Sequence, residues 1–175
     1  RPDQQKTIKG AWGYLEAIQA KGLIHVVWPE HCEVGQPGWS LEPQIARALR
    51  QWEHDGPGRV NFVTKGNNPW TEHYGAVMAE VLDSTDPSTA VNSGFVQALE
   101  EADILILAGE ALSHCVCRTV TQVADCFKDP KYIQKMVLMT DCCSNVPGFE
   151  FLGDKFIQEM TQRGMKLAKS TEFMI

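Results

Sequence analysis

Apolar and polar positions along this chain switch repeatedly between a helical period and short strand-like runs. Residues 4–20 read as a helix, with Ile8, Trp12, Leu15 and Ile18 on one stripe and Gly22 past its end. "LIHVVW" follows as a strand closed by Pro29. A second helix is expected after Ser40 and Leu41, with Ile45, Leu49 and Trp52 at helical spacing and "GPG" at 56–58 as its stop. "VNFVTKG" reads as the next strand, "WTEHYGAVMAEVL" as a short helix, and "NSGFVQALEEA" as another, capped by Asn92 or Ser93. "DILILAGE" is nearly all apolar, as expected of a strand covered on both faces. "ALSHCVCRTVTQVADCF" then carries Val116, Val120, Val123, Ala124 and Phe127 on one helical face. "KMVLMTD" is a strand, "FEFLGDKFIQEMTQRG" a helix stopped by Gly164, and "MKLAKS" the last strand.

Five strands with intervening helices predict an α/β fold, Rossmann-like, with three α/β/α layers around a mostly parallel sheet. In such sheets the working residues lie beyond the carboxyl ends of the strands. That rule selects Trp28 and His31 after "LIHVVW", Lys65 at the end of "VNFVTK", Cys115 just past "DILILAGE", and Asp141 at the end of "KMVLMTD". His25, inside its strand, reads as a core residue.

Cys115 is the most informative of these. It is expected in the first turn of a helix, with Ser113 as N-cap, where free amides and the helix dipole favour an anion. A thiolate is such an anion, so the position suits a reactive cysteine. The same turn can aim backbone N–H groups at a developing oxyanion. A small buried hydrophobe at a crowded turn is the competing reading. Cys117 lies about 200° further around the helix, so this pair does not form a chelate. Lys65 is by default a solvated charge, but a lysine followed by glycine on the same rim as a cysteine would favour a thiolate.

Length and composition narrow the class. A chain of 175 residues that is 43% hydrophobic reads as a single domain over 1–175. The net charge of −6 gives no nucleic-acid footprint, and no apolar run approaches the ~18 residues of a membrane span. The six cysteines follow neither a disulfide framework nor a paired zinc motif, so reduced thiols and a cytoplasmic setting are expected.

"WPEHCEVGQPG", "VTKG" and "GEALSHCV", in this order, resemble the isochorismatase-like cysteine hydrolases, nearest the nicotinamidase branch. The resemblance implies a cysteine hydrolase that cleaves the C–N bond of a small carboxamide through a thioester. It makes Cys115 the nucleophile and Lys65 the triad lysine, with the backbone N–H groups of Ala111 and Cys115 as oxyanion donors. It implies a cis peptide at Glu110–Ala111. It makes His31 a ligand of a divalent metal, zinc foremost, a set that this chain alone leaves incomplete. Trp28 and Tyr74 would line the substrate pocket, although a packing role for Tyr74 and a turn role for His31 are equally open.

The chain also departs from that pattern. The family's general-base aspartate ends a first strand near the amino terminus. Here "RPDQQKTIKGAWGYLEAI" is helix-like, and the family's aspartate-x-histidine metal motif has no counterpart. A missing central strand would leave a slot about 10 Å wide between "LIHVVW" and "DILILAGE". An upstream segment or another chain is therefore expected to complete the sheet, and a homo-oligomer is one form this could take. Two further readings stand beside the amidase. One is an inactive family member serving as a structural subunit, and the other is a vinyl-ether hydrolase of the isochorismatase type.

Overall fold

The computed structural model describes residues 4–173, and they form a mixed α/β chain. Helix α1 spans Gln4–Ala20, α2 Pro43–Asp55, α3 Ser93–Glu101, α4 Cys117–Cys126 and α5 Glu150–Gln162. Strands β1 (Leu105–Glu110), β2 (Met136–Ser144) and β3 (Lys166–Ala168) form a parallel sheet in the order β1-β2-β3. Two consecutive βαβ units, through α4 and α5, account for that order.

Among the described residues, three of the five expected strands are strands. "LIHVVW" and "VNFVTKG" (residues 60–66) carry none, and β1 pairs with β2 alone. A strand exists only through its ladder, so an apolar run without a partner stays irregular however strand-like its composition. Residues 70–82, expected as a helix, are irregular too. Thr71, His73, Gly75, Val77 and Ala79 are buried, and the residues between them up to Met78 are less so, which is a period of two. Of the expected α1 stripe only Ile18 is buried, while Ile8 and Trp12 are more than half exposed.

Chain contacts divide the molecule into two compact units, one of Arg1–Ala17 with Thr64–Ile175 and one of Ile18–Val63. The first contains the sheet. Its core joins Leu105 of β1, Met136 and Leu138 of β2, Val120, Val123 and Ala124 of α4, and Phe156 and Met160 of α5. Met136 to Met139 are all buried, so both faces of β2 are covered. Helix α3 starts at Asn92, whose side-chain oxygen accepts from Phe95 N–H at 3.1 Å.

The second unit holds α2 and irregular chain. Glu42 is the true cap of α2, accepting from the amides of Gln44 (2.7 Å) and Ile45 (3.0 Å), with Pro43 in the first turn. Ile18 is the one buried hydrophobic residue of this unit. Among the described residues no helix is long and apolar enough to cross a membrane.

Candidate active site

The site is built at the carboxyl end of β1. Gly109 sits at φ 134°, a backbone conformation that side chains rarely adopt, where the register with β2 shifts. Glu110 then bridges to the end of β2: its carboxylate accepts from Ser144 N–H (3.1 Å) and Ser144 Oγ–H (2.8 Å). The peptide bond Glu110–Ala111 is cis, as the resemblance implies.

The next five residues, Leu112–Val116, form one wide helical turn, and regular α4 begins only at Cys117. The Ala111 carbonyl accepts from the amides of both His114 (3.0 Å) and Val116 (3.1 Å), closing the turn around Cys115. Cys115 is half-buried and unpaired. Ser113 is not the N-cap that its position suggests. It is buried, its hydroxyl accepts from Val146 N–H (3.0 Å), and it lies 2.8 Å from His114 Nδ1. The ring of His114 meets Phe149 edge-on at 4.9 Å, and burial lowers its proton affinity. The Cys115 turn is thus bolted to the end of β2 through Glu110 and to the segment after it through Ser113.

Cys117 shows what the same helix does to a covered thiol. Burial pushes it up to about 11, which keeps it protonated at neutral pH.

Lys65 lies in the same unit, and its ammonium donates to the His73 carbonyl at 2.8 Å. Lys65 and His73 help line a cleft of about 300 Å³ with Asn67, Ser88 and Asn92. Tyr74, next to His73, is half-buried, and its hydroxyl neighbours that of Tyr14; burial and this pairing make Tyr14 hold its proton more tightly. Asp141 braces the chain after β3, accepting from Ser170 N–H (2.8 Å) and Oγ–H (2.6 Å), which holds its carboxyl below the usual carboxylate range.

Trp28 and His31 belong to the other unit and are exposed. His31 donates from Nδ1 to the Pro29 carbonyl (2.6 Å), beside Cys32 at φ 53°. That bond leaves Nε2 as the atom a metal could take. One donor does not make a site, and among the described residues no three His, Cys, Asp or Glu side chains converge. The described residues do not by themselves complete a ligand set.

Within the unit that contains the sheet, residues that sequence reasoning missed tie the chain before α3 to α4. Glu80, Arg118 and Gln122 form a polar cluster on the buried side of α4. The only signal for them was two polar residues, at 118 and 122, spaced like neighbours on the helix that also carries Val120, Val123 and Ala124.

This fold is that of a known class, the nicotinamidases and pyrazinamidases. The chain superposes on an Acinetobacter baumanii nicotinamidase/pyrazinamidase with a TM-score of 0.56 at 20% identity, covering 84% of this chain and 61% of that one. The yeast nicotinamidase Pnc1p gives 0.60 at 19% identity, covering 83% and 59%. A Pyrococcus horikoshii pyrazinamidase, solved in complex with zinc, gives 0.52 at 18% identity, covering 96% and 87%. The chain therefore spans about three fifths of the length of the first two. No protein-family pattern and no curated protein sequence matches it.

Proposed function

We propose that this chain carries the nucleophile half of a cysteine amidohydrolase acting on a small carboxamide. The observation that carries the reading is the Leu112–Val116 turn, which holds a half-buried, unpaired Cys115 shortly after the cis Glu110–Ala111 bond at the carboxyl end of parallel strand β1. The shared fold with nicotinamidases and pyrazinamidases supports it.

In this reading the Cys115 thiolate attacks the carboxamide carbon. The N–H groups of Ala111 and Cys115 stabilise the oxyanion, and Lys65 favours the thiolate. The tetrahedral intermediate collapses with loss of ammonia to a thioester. Water then adds to the thioester, giving the free acid and restoring the thiol. Tyr74 contacts the substrate ring. The acceptor for the Cys115 proton is an aspartate from a segment outside these residues. That segment pairs with the open edge of β1, where Ile106 is nearly half exposed, and so extends the parallel sheet.

The open edge also favours a second reading, an inactive subunit of an assembly, because Ile104 and Trp12 are exposed as well. One experiment separates the two: ammonia release from nicotinamide and pyrazinamide by the native protein and its Cys115→Ala variant. The amidase reading expects release that the substitution abolishes, with the melting temperature unchanged. Release that survives in Cys115→Ala removes Cys115 from its role. A native protein that releases none, and whose Cys115 alkylates no faster than Cys117, is the structural subunit.

A further inference from the structure

The segment carrying Lys65 and the helix following Cys115 are joined by a buried polar clasp. Glu80 is 1% exposed and takes a two-pronged contact from Arg118, with Nε donating to Oε1 at 2.8 Å and the second nitrogen to Oε2. Gln122, 2% exposed, donates to the Met78 carbonyl (3.1 Å) and to Glu80 (3.2 Å), and accepts from Val77 N–H (3.3 Å). Thr119 accepts from Ala76 N–H at 3.1 Å. Gly75 lies so close to α4 that a Cβ there would overlap the Gln122 carboxamide. Residues 75–80 are thus held to α4 by their backbone and by one buried ion pair. Two residues before this stretch, the His73 carbonyl receives the Lys65 ammonium. Arg118 lies three residues after Cys115, one turn along the helix.

A buried ion pair is a poor source of net stability, because desolvation offsets most of its attraction. It does impose one geometry, since either partner displaced is left as an uncompensated charge. We propose that Glu80, Arg118 and Gln122 are positioning residues that set where the Lys65 ammonium stands relative to the Cys115 sulfur. This rests on the reading of Cys115 as nucleophile and Lys65 as its cation. The clasp acts through the His73 carbonyl, so its loss frees Lys65 while the nucleophile turn, held separately by Glu110 and Ser113, keeps its shape.

The test is the rate and pH profile of iodoacetamide alkylation at each cysteine of the full chain, read by peptide mass. Exposed Cys142 and half-buried Cys117, which burial keeps as a thiol, serve as internal controls. Lys65→Met is expected to slow Cys115 by about tenfold at neutral pH, the effect of removing one opposite charge. Glu80→Gln is expected to slow Cys115 comparably and to change its pH profile in the same way, and adding Lys65→Met to it should produce little further loss. Because breaking one side of a buried pair can unfold a domain, the Glu80→Leu/Arg118→Met double variant removes both charges at little cost in stability. It too should slow Cys115 and leave Cys117 protected.

If Lys65→Met leaves Cys115 unchanged, the pairing of cation and nucleophile is wrong and the proposal falls with it. If Lys65→Met slows Cys115 but the double variant labels it at the native rate, the clasp is packing alone. Labelling of Cys117 that rises together with any change at Cys115 likewise assigns the cluster a purely structural role.

Discussion

The two compact units differ most in what they bury. The unit with the sheet encloses a continuous core from Val77 to Met165 and fixes Ala111, Cys115, Lys65 and Tyr74 through named hydrogen bonds or packing. The unit of Ile18–Val63 buries a single hydrophobic side chain and leaves Val27, Trp39, Trp52 and Phe62 half exposed or more. Both stretches have strand-like runs and family-like motifs. Only one has the ladder and helices that turn a motif into a placed side chain. A sequence motif therefore specifies chemistry only where packing over-determines it.

Hydrogen exchange tests this contrast most directly. Amides of β2 should exchange at least about a hundredfold more slowly than those of α2 and residues 23–28, because opening β2 requires disrupting the core. Equal protection across the two units would mean that Ile18–Val63 has a core in solution, and the comparison would collapse. A matched pair of substitutions sharpens it. Leu138 is fully buried at the centre of β2, so Leu138→Ala should cost about 2–5 kcal/mol by urea unfolding. Val27 is 89% exposed, and Val27→Ala should stay within about 0.5 kcal/mol.

The same physics explains what the sequence could and could not reveal. "KMVLMTD" was legible because its apolar run does sit in a ladder with both faces covered, whereas "DILILAGE" joins the same ladder but is covered on one face only, with Ile106 and Ala108 exposed. "LIHVVW" looked identical, but pairing is non-local and no local pattern reports an absent neighbour. The helix expected over 70–82 rested on good helix formers such as Ala76, Met78, Ala79 and Glu80. Backbone donors at Ala76 and Val77 are instead taken by Thr119 and Gln122, so tertiary bonds overrode propensity. Cys115 was legible because its place just past the carboxyl end of a parallel strand is a topological signal. Ser113 was misread because a hydroxyl before a helix looks the same whether it caps that helix or accepts from a distant amide, here Val146.

Gly75 offers an intermediate test on the well-packed side. Gly75→Ala would drive a methyl into the Gln122 carboxamide and to 3.1 Å from the Arg118 carbonyl carbon, and backbone cannot swing aside as a side chain can. A loss of about 1–3 kcal/mol is expected, typical of overpacking. Gly10→Ala, where nothing lies within 4 Å, is the control and should be neutral or slightly stabilising. Equal effects at the two glycines would show that the clasp is loose.

The smallest effect is expected from His114, which reports on the turn that holds Cys115. Burial against Phe149 disfavours its charged form, so its proton affinity in the folded chain lies below the unfolded value of about 6.5. Below that value the unfolded chain binds the proton first. Its contribution to stability is therefore complete above about pH 6.5 and is lost as the pH falls through the lower, folded value. His114 is only partly buried, so solvent screens the effect and the loss should be modest. The melting temperature of the native chain should fall slightly more between about pH 7.5 and 5.5 than that of His114→Gln, which carries no titrating ring. Parallel curves for the two proteins would mean that the imidazole is already well hydrated, and that the turn holding Cys115 is looser than its bonds to Ser113, Ser144 and Val146 imply.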